Sequence, residues 1–139
     1  MQRCGTFELE GNTTFRIEHE LDEQNGLTIW FYGGLVVRHG DRFDLYLTHL
    51  EELARRANEA NAAHVHCHLE HLGEVLSRAQ HAIYRMLHAI RAQGHPVTIY
   101  ATGEQPEQSE HLRMARLFVD GISKQPGAPV KLTEIRRAS

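Results

Sequence analysis

The segment His64-Val65-His66-Cys67-His68-Leu69 alternates an imidazole with an apolar side chain at every step. A period of two is the spacing of a β-strand, whose successive side chains point to opposite faces of the sheet. Such a strand has one face fit for a core and one fit for water. The segments before it set the context. Thr6–Glu10 and Thr14–Leu21 alternate apolar and polar residues on either side of Gly11-Asn12, which predicts a hairpin. Asp22–Gly26 is a second turn in which Asn25-Gly26 supplies positive φ, and Leu27–Tyr32 is rich in β-branched and aromatic residues. Gly33-Gly34 is expected to break that strand. Asp41–Ala60 places Phe43, Leu47, Leu50, Ala54 and Ala57 at helical spacing, with Asp41 as its N-cap.

After the histidine strand, Ala63–Leu69, a second amphipathic helix carries Leu72 or Leu76, then Ala79, Ile83, Met86 and Ile90, and ends near Gln93 before Gly94-His95-Pro96. Val97–Ala101 reads as a strand and Thr102–Glu107 as a loop. Ser109 is expected to cap a third helix bearing Leu112, Ala115, Leu117, Phe118 and Ile122, and Val130–Ile135 closes the chain as a strand. The expected order is β-β-β-α-β-α-β-α-β. Strands alternating with helices imply right-handed crossovers and an α/β fold with a mixed, mostly parallel sheet of about five to six strands. A parallel sheet covered on both faces would have continuously apolar strands, and the histidine strand is not one. The helices are therefore expected mainly on one face, as a two-layer sandwich. The 139 residues suit a single domain, with residues 1–13 as an N-terminal strand or arm and 14–135 as the core.

Composition narrows the function classes. No stretch approaches the roughly 18 uninterrupted apolar residues of a membrane helix, and the first residues lack the apolar region of a secretory signal. Cys4 and Cys67 form no CxxC pair, so a reducing cytoplasm is expected. The net charge of −3 argues against nucleic acid as a partner, while eleven histidines make that charge sensitive to pH below about 6.5. There is no phosphate loop of Walker type, no GxGxxG, no HExxH and no GxSxG. Nothing nominates an enzyme or a cofactor.

Alternation assigns His64, His66 and His68 to the face shared by Trp30, Tyr32, Thr98 and Tyr100, leaving Ile29, Phe31, Val97 and Ile99 for the core. That open face reads as a contact surface, including the interface of a homodimer, or as a half-exposed sheet whose amphipathic side chains cover one another. A metal site, of a metal-binding protein or a small metal-dependent enzyme, is the sharper reading of the three histidines. Alternate residues on a strand stand about 6.6–6.8 Å apart. Zinc requires ligand nitrogens about 2.0–2.1 Å from one point, so two can converge and a third needs help from a neighbouring strand.

The other informative segment is the junction of the histidine strand with the second helix. Ser77-Arg78-Ala79-Gln80 fits the capping-box pattern, so Ser77 caps that helix or, if the helix starts near Glu74, lies one turn inside it. With Leu69-Glu70 ending the strand, Ser77-Arg78-Ala79 opening the helix, Gly94-His95-Pro96-Val97-Thr98 leading into the next strand, and the closing Val130–Ile135, the chain resembles the STAS-like anti-sigma-factor antagonists. Within them it is most similar to the SiaC-type regulatory phosphoproteins.

The resemblance implies a non-enzymatic regulator of a bacterial partner-switching pathway, bound by a kinase, phosphatase or signalling enzyme and controlled by phosphorylation near the start of the second helix. Aligned on the helix opening, Ser77 takes the phosphoacceptor's place. Aligned without a gap from Leu69-Glu70, Glu74 takes it, a fixed negative charge. The expected partner surface is the loop from Glu70 through His71 and Gly73 to Glu74, with Ser77, Arg78, His81 and Arg85 on the helix.

Overall fold

The computed structural model describes residues 3–8, 15–35 and 40–136. β1 (Arg3–Glu8), β2 (Arg16–Leu21) and β3 (Gly26–Leu35) form an antiparallel meander, and α1 (Gly40–Glu59) follows. β4 (His64–His68), β5 (Leu72–Val75), α2 (Ser77–Ala92), β6 (Val97–Ala101), α3 (Pro106–Ile122) and β7 (Val130–Glu134) complete the chain. The sheet runs β1-β2-β3-β4-β6-β7, with β5 paired to the far end of β3, and every pairing beyond β3 is parallel. It is an α/β sandwich of two layers, the three helices on one side of a seven-stranded mixed sheet. No helix among the described residues is long and apolar enough to cross a membrane.

Alternation sorts the two faces. Ile17, Ile29, Phe31, Val65, Cys67 and Ile99 are fully buried against Leu53, Ala57, Ala79, Ile83 and Leu87 of the helices. Tyr46 on α1 spans to α2, its hydroxyl donating to the Ala79 carbonyl oxygen at 2.7 Å. Burying side chains of this size contributes about 1.5–3 kcal/mol each, which is why the apolar face decides the register.

Several expectations are corrected. β3 is not broken at Gly33-Gly34: it continues through an irregular register to pair with β5, with Gly33 at φ 80°. A side chain on Gly34 would meet the backbone oxygen of Glu74 at 2.9 Å, so the pair of glycines permits a close approach of strands. The segment from Glu70 to Glu74 is accordingly not a plain loop, because β5 begins within it; this gives seven strands rather than five to six. Ser77 is the first residue of α2 and not its cap; Leu76 occupies the cap position with no side-chain hydrogen bond. α3 starts at Pro106 and is capped by Gln105 in a reciprocal pair with Gln108, so Ser109 lies in its first turn, bonded back to the Pro106 carbonyl. Finally, α1 includes Gly40, which puts Asp41 inside the helix instead of at its cap.

The first hairpin strand runs Arg3–Glu8 rather than to Glu10, while its turn at Gly11-Asn12 lies outside the described residues. The second turn forms as expected. Asn25 has φ 62°, and the Asp22 carboxylate accepts from the Gln24 and Gly26 amides at 2.8 Å each.

Candidate functional site

Cross-strand register builds the open face in rows. Glu18, Trp30, His68, Tyr100 and Thr133 lie side by side across five strands, and Glu20, Thr28, His66, Thr98 and Lys131 form the next row. The His68 ring stacks on Tyr100 with centroids 4.2 Å apart and on Trp30 at 5.7 Å. Further along β3, Tyr32 stacks on His71 at 5.1 Å, while the Arg16 guanidinium sits 4.2 Å over the Tyr32 ring. The sheet face is thus a continuous patch of rings, half-buried in the protein's own side chains.

Each strand histidine is held by a separate partner. His64 Nε2 lies 2.7 Å from Thr98 Oγ1, His66 Nδ1 lies 2.9 Å from the Tyr100 hydroxyl, and His68 Nδ1 donates to the Glu70 carboxylate at 2.7 Å. His64 and His66 stack with centroids 4.5 Å apart. Burial and neighbouring cationic groups hold both imidazoles below their ordinary pKa, Lys131 adding to the effect on each.

This geometry does not support the reading of His64, His66 and His68 as a metal site. The rings lie along the strand rather than around a point, and among the described residues no group of three or more His, Cys, Asp or Glu side chains is arranged to hold a metal ion. Cys67 faces the core, where burial pushes its thiol far above the ordinary range and leaves it inert.

The second cluster is the junction at the carboxyl end of β4. Here α3 reaches over and fixes the chain. Gln108 Nε2 donates to the Glu70 carbonyl at 3.0 Å, and His111 Nε2 donates to the Gly73 carbonyl at 2.6 Å. That leaves His111 Nδ1 as the acceptor for Gln80 Nε2, at 3.2 Å. The Gln80 of the expected capping box is therefore spent on tertiary structure. Gln108 and His111 were not singled out from the sequence. The Gln-x-x-Gln at 105–108 before an apolar run was the available sign for Gln108; His111 had none.

Of the eight residues expected to meet a partner, His71, Glu74, Ser77, Arg78, His81 and Arg85 are exposed. Glu70 is not, and this is a correction: its side chain is only 13% exposed and turns back to His68, with one carboxylate oxygen buried and unpartnered among the described residues. Gly73 contributes its carbonyl to His111 and lies against Gly33. Arg78 lies 4.3 Å over the Phe43 ring of α1. The first turn of α2 holds no acidic residue, so the positive end of the helix dipole is unopposed there. No protein-family model matches the chain, and no curated protein matches it in sequence.

Proposed function

We propose that the chain is a regulatory protein-binding domain rather than an enzyme, acting in a bacterial cytoplasm in the manner of the STAS-like regulators it resembles. The observation that carries this reading is the junction. α3 holds the backbone of Glu70 and Gly73 through side-chain hydrogen bonds, while His71, Glu74, Ser77 and Arg78 beside it face solvent. A segment fixed from behind and exposed in front presents side chains to a partner at little ordering cost.

Ser77 fits a regulatory role on the same geometry. Its hydroxyl is exposed and does not cap α2, and a phosphate at the first position of that helix meets amide N–H groups and no competing carboxylate in the turn. Glu74, three residues earlier on β5 and exposed, supplies a weaker permanent version of that charge. A photo-crosslinking residue placed at Glu74 in the source cells tests the reading, with one at Lys124 as control. The expected result is an adduct with a single other protein from position 74 alone, lost or gained on Ser77→Asp but not on Ser77→Ala. Equal adducts from both positions would overturn it.

A second reading is favoured by the row of rings on the uncovered sheet face, and its occupant is a second copy of the chain. Glu18 and Glu20 lie toward one edge of this face and Lys131 toward the other. A two-fold axis running along β4 sets each edge against its opposite, with Trp30 and Tyr100 near the centre. Sedimentation of the wild type and Trp30→Ala decides it: a dimer that becomes monomeric is the expected outcome, and a monomeric wild type at 100 μM (~10⁻⁴ M, about −5 kcal/mol) ends it.

A further inference from the structure

α2 carries Arg78, His81, Arg85, His88 and Arg91 and no carboxylate, in a chain whose net charge is −3. The described arginine side chains outside α2 are neutralised. Arg16, Arg55, Arg56, Arg113, Arg116 and Arg136 all pair with glutamates. Arg78 lies over Phe43, and Arg91 is buried on three backbone carbonyls. Arg85 has no ion pair, hydrogen bond or ring contact among the described residues. It stands on the wall of an open groove of about 350 Å³ between α2 and α3, lined by His81, Tyr84, Arg85, His88 and Phe118. Tyr84 and Phe118 stack at 5.0 Å across this groove. Leu117, next to Phe118 in sequence, is 54% exposed, although it is large and apolar.

We infer that this groove binds an acidic segment of a partner protein, one carrying an aromatic or large aliphatic residue among its carboxylates. Arg85, His81 and His88 recur on one side of α2 at spacings of four and three, so they line a strip along which successive carboxylates can lie. An unpaired guanidinium makes bidentate contacts with a carboxylate, and aromatic rings bury an apolar anchor between the charges. The neighbouring groove between α1 and α2 fits such a segment less well, because Glu51 lines it together with Arg85. The inference rests on the protein-binding reading of the chain and names the chemistry of the partner.

The test is fluorescence anisotropy of the full chain with labelled peptides of about twelve residues. One is rich in glutamate with a central tryptophan, one has lysine for every glutamate, and one has alanine for the tryptophan. The expected result is binding of the first alone, weakened by salt, about threefold weaker for Arg85→Gln and tenfold or more for Arg85→Glu, with unchanged melting temperature. Equal binding of the lysine peptide, or of the acidic peptide to Arg85→Glu, overturns the groove. The adduct from position 74 separates this from its premise. If it persists while no acidic peptide binds, the groove falls and the regulatory reading stands; if the peptide binds and no adduct forms, the reverse holds.

Discussion

His49 is expected to make the fold acid-labile. Its ring lies between α1 and the first two strands, stacked on Phe7 of β1 at 4.4 Å and tilted against His19 of β2 at 6.2 Å. His49 Nε2 and His19 Nδ1 are buried without partners among the described residues. Arg56 donates to His19 Nε2 at 3.3 Å, and a guanidinium cannot accept, so this contact requires neutral His19. β1 brings Phe7 and Gly5 to the rings, and a Cβ on Gly5 would fall 2.3 Å from the His19 ring. α1 brings Arg56, which disfavours the charged imidazoles, and Glu52, which weakly favours that of His49. Burial, then His19 and Arg56, lower the His49 pKa from 6.5 to about 4.

The unfolded chain therefore binds this proton more tightly than the folded one. Stability from this site is complete above pH 6.5 and is lost as pH falls toward about 4. The full shift corresponds to at most about 3 kcal/mol, and since the ring is only partly shielded from water, about 1–2 kcal/mol survives screening. His49→Phe keeps the stack on Phe7 and removes the titration. Urea unfolding of both proteins at pH 7 and pH 4.5 measures the difference, with shared carboxylates cancelling. The wild type is expected to lose about 1–2 kcal/mol more than the variant over that interval. Parallel losses would falsify the account.

Three further outcomes are expected. Gly34→Ala pushes a methyl group toward the Glu74 backbone oxygen and is expected to cost about 1–3 kcal/mol in urea unfolding; an unchanged midpoint refutes the close approach of β3 and β5. Arg91 is 3% exposed and donates to the carbonyls of Gln125, Pro126 and Ala128. Arg91→Lys keeps the charge without the fork, so a loss of about 1–3 kcal/mol is expected, and none if the charge alone matters. In a Cys4→Ser background, Cys67 is expected to resist a thiol reagent at pH 8 (a reagent pH below the ordinary thiol pKa of about 8.5) and to react fully in denaturant; fast native reaction would contradict its burial.

The parts legible in the sequence are those in which one periodicity runs for five residues or more. The alternation in β4 assigned Val65 and Cys67 to the core and the three histidines to the opposite face, and the structure has them so. The same period placed Tyr100 beside His68. It did not reveal β5, because four residues that include Gly73 carry no period, and their partner lies across the sheet beyond Gly33. Capping failed for a related reason. Gln80 looked like the partner of a local box with Ser77, and His111, thirty-one residues later, took it instead. In α3, Pro106 at the first helical turn outweighed Ser109, because its missing N–H and fixed φ suit that position. Local chemistry proposes an end for each helix, and tertiary contacts choose among the candidates.

The two surfaces differ in kind as well as in place. The rings of Trp30, His68 and Tyr100 lie on the side of the sheet away from α2, whose buried residues pack on the opposite face. Occupying one leaves the other open, so pairing through the sheet and docking on the helices are not competing explanations of one patch. The sheet face is mutually satisfied: its histidines have Thr98, Tyr100 and Glu70, so a second copy gains chiefly apolar area there. The helix face is not, since Arg85 has no partner and a carboxylate brought to it gains a charge-assisted bond that salt weakens. Salt therefore weakens docking on the helix more than pairing through the sheet. A chain paired through its sheet would present two α2 faces, and a partner with two acidic segments would bind it more tightly than either groove alone allows, by effective concentration and without a new contact.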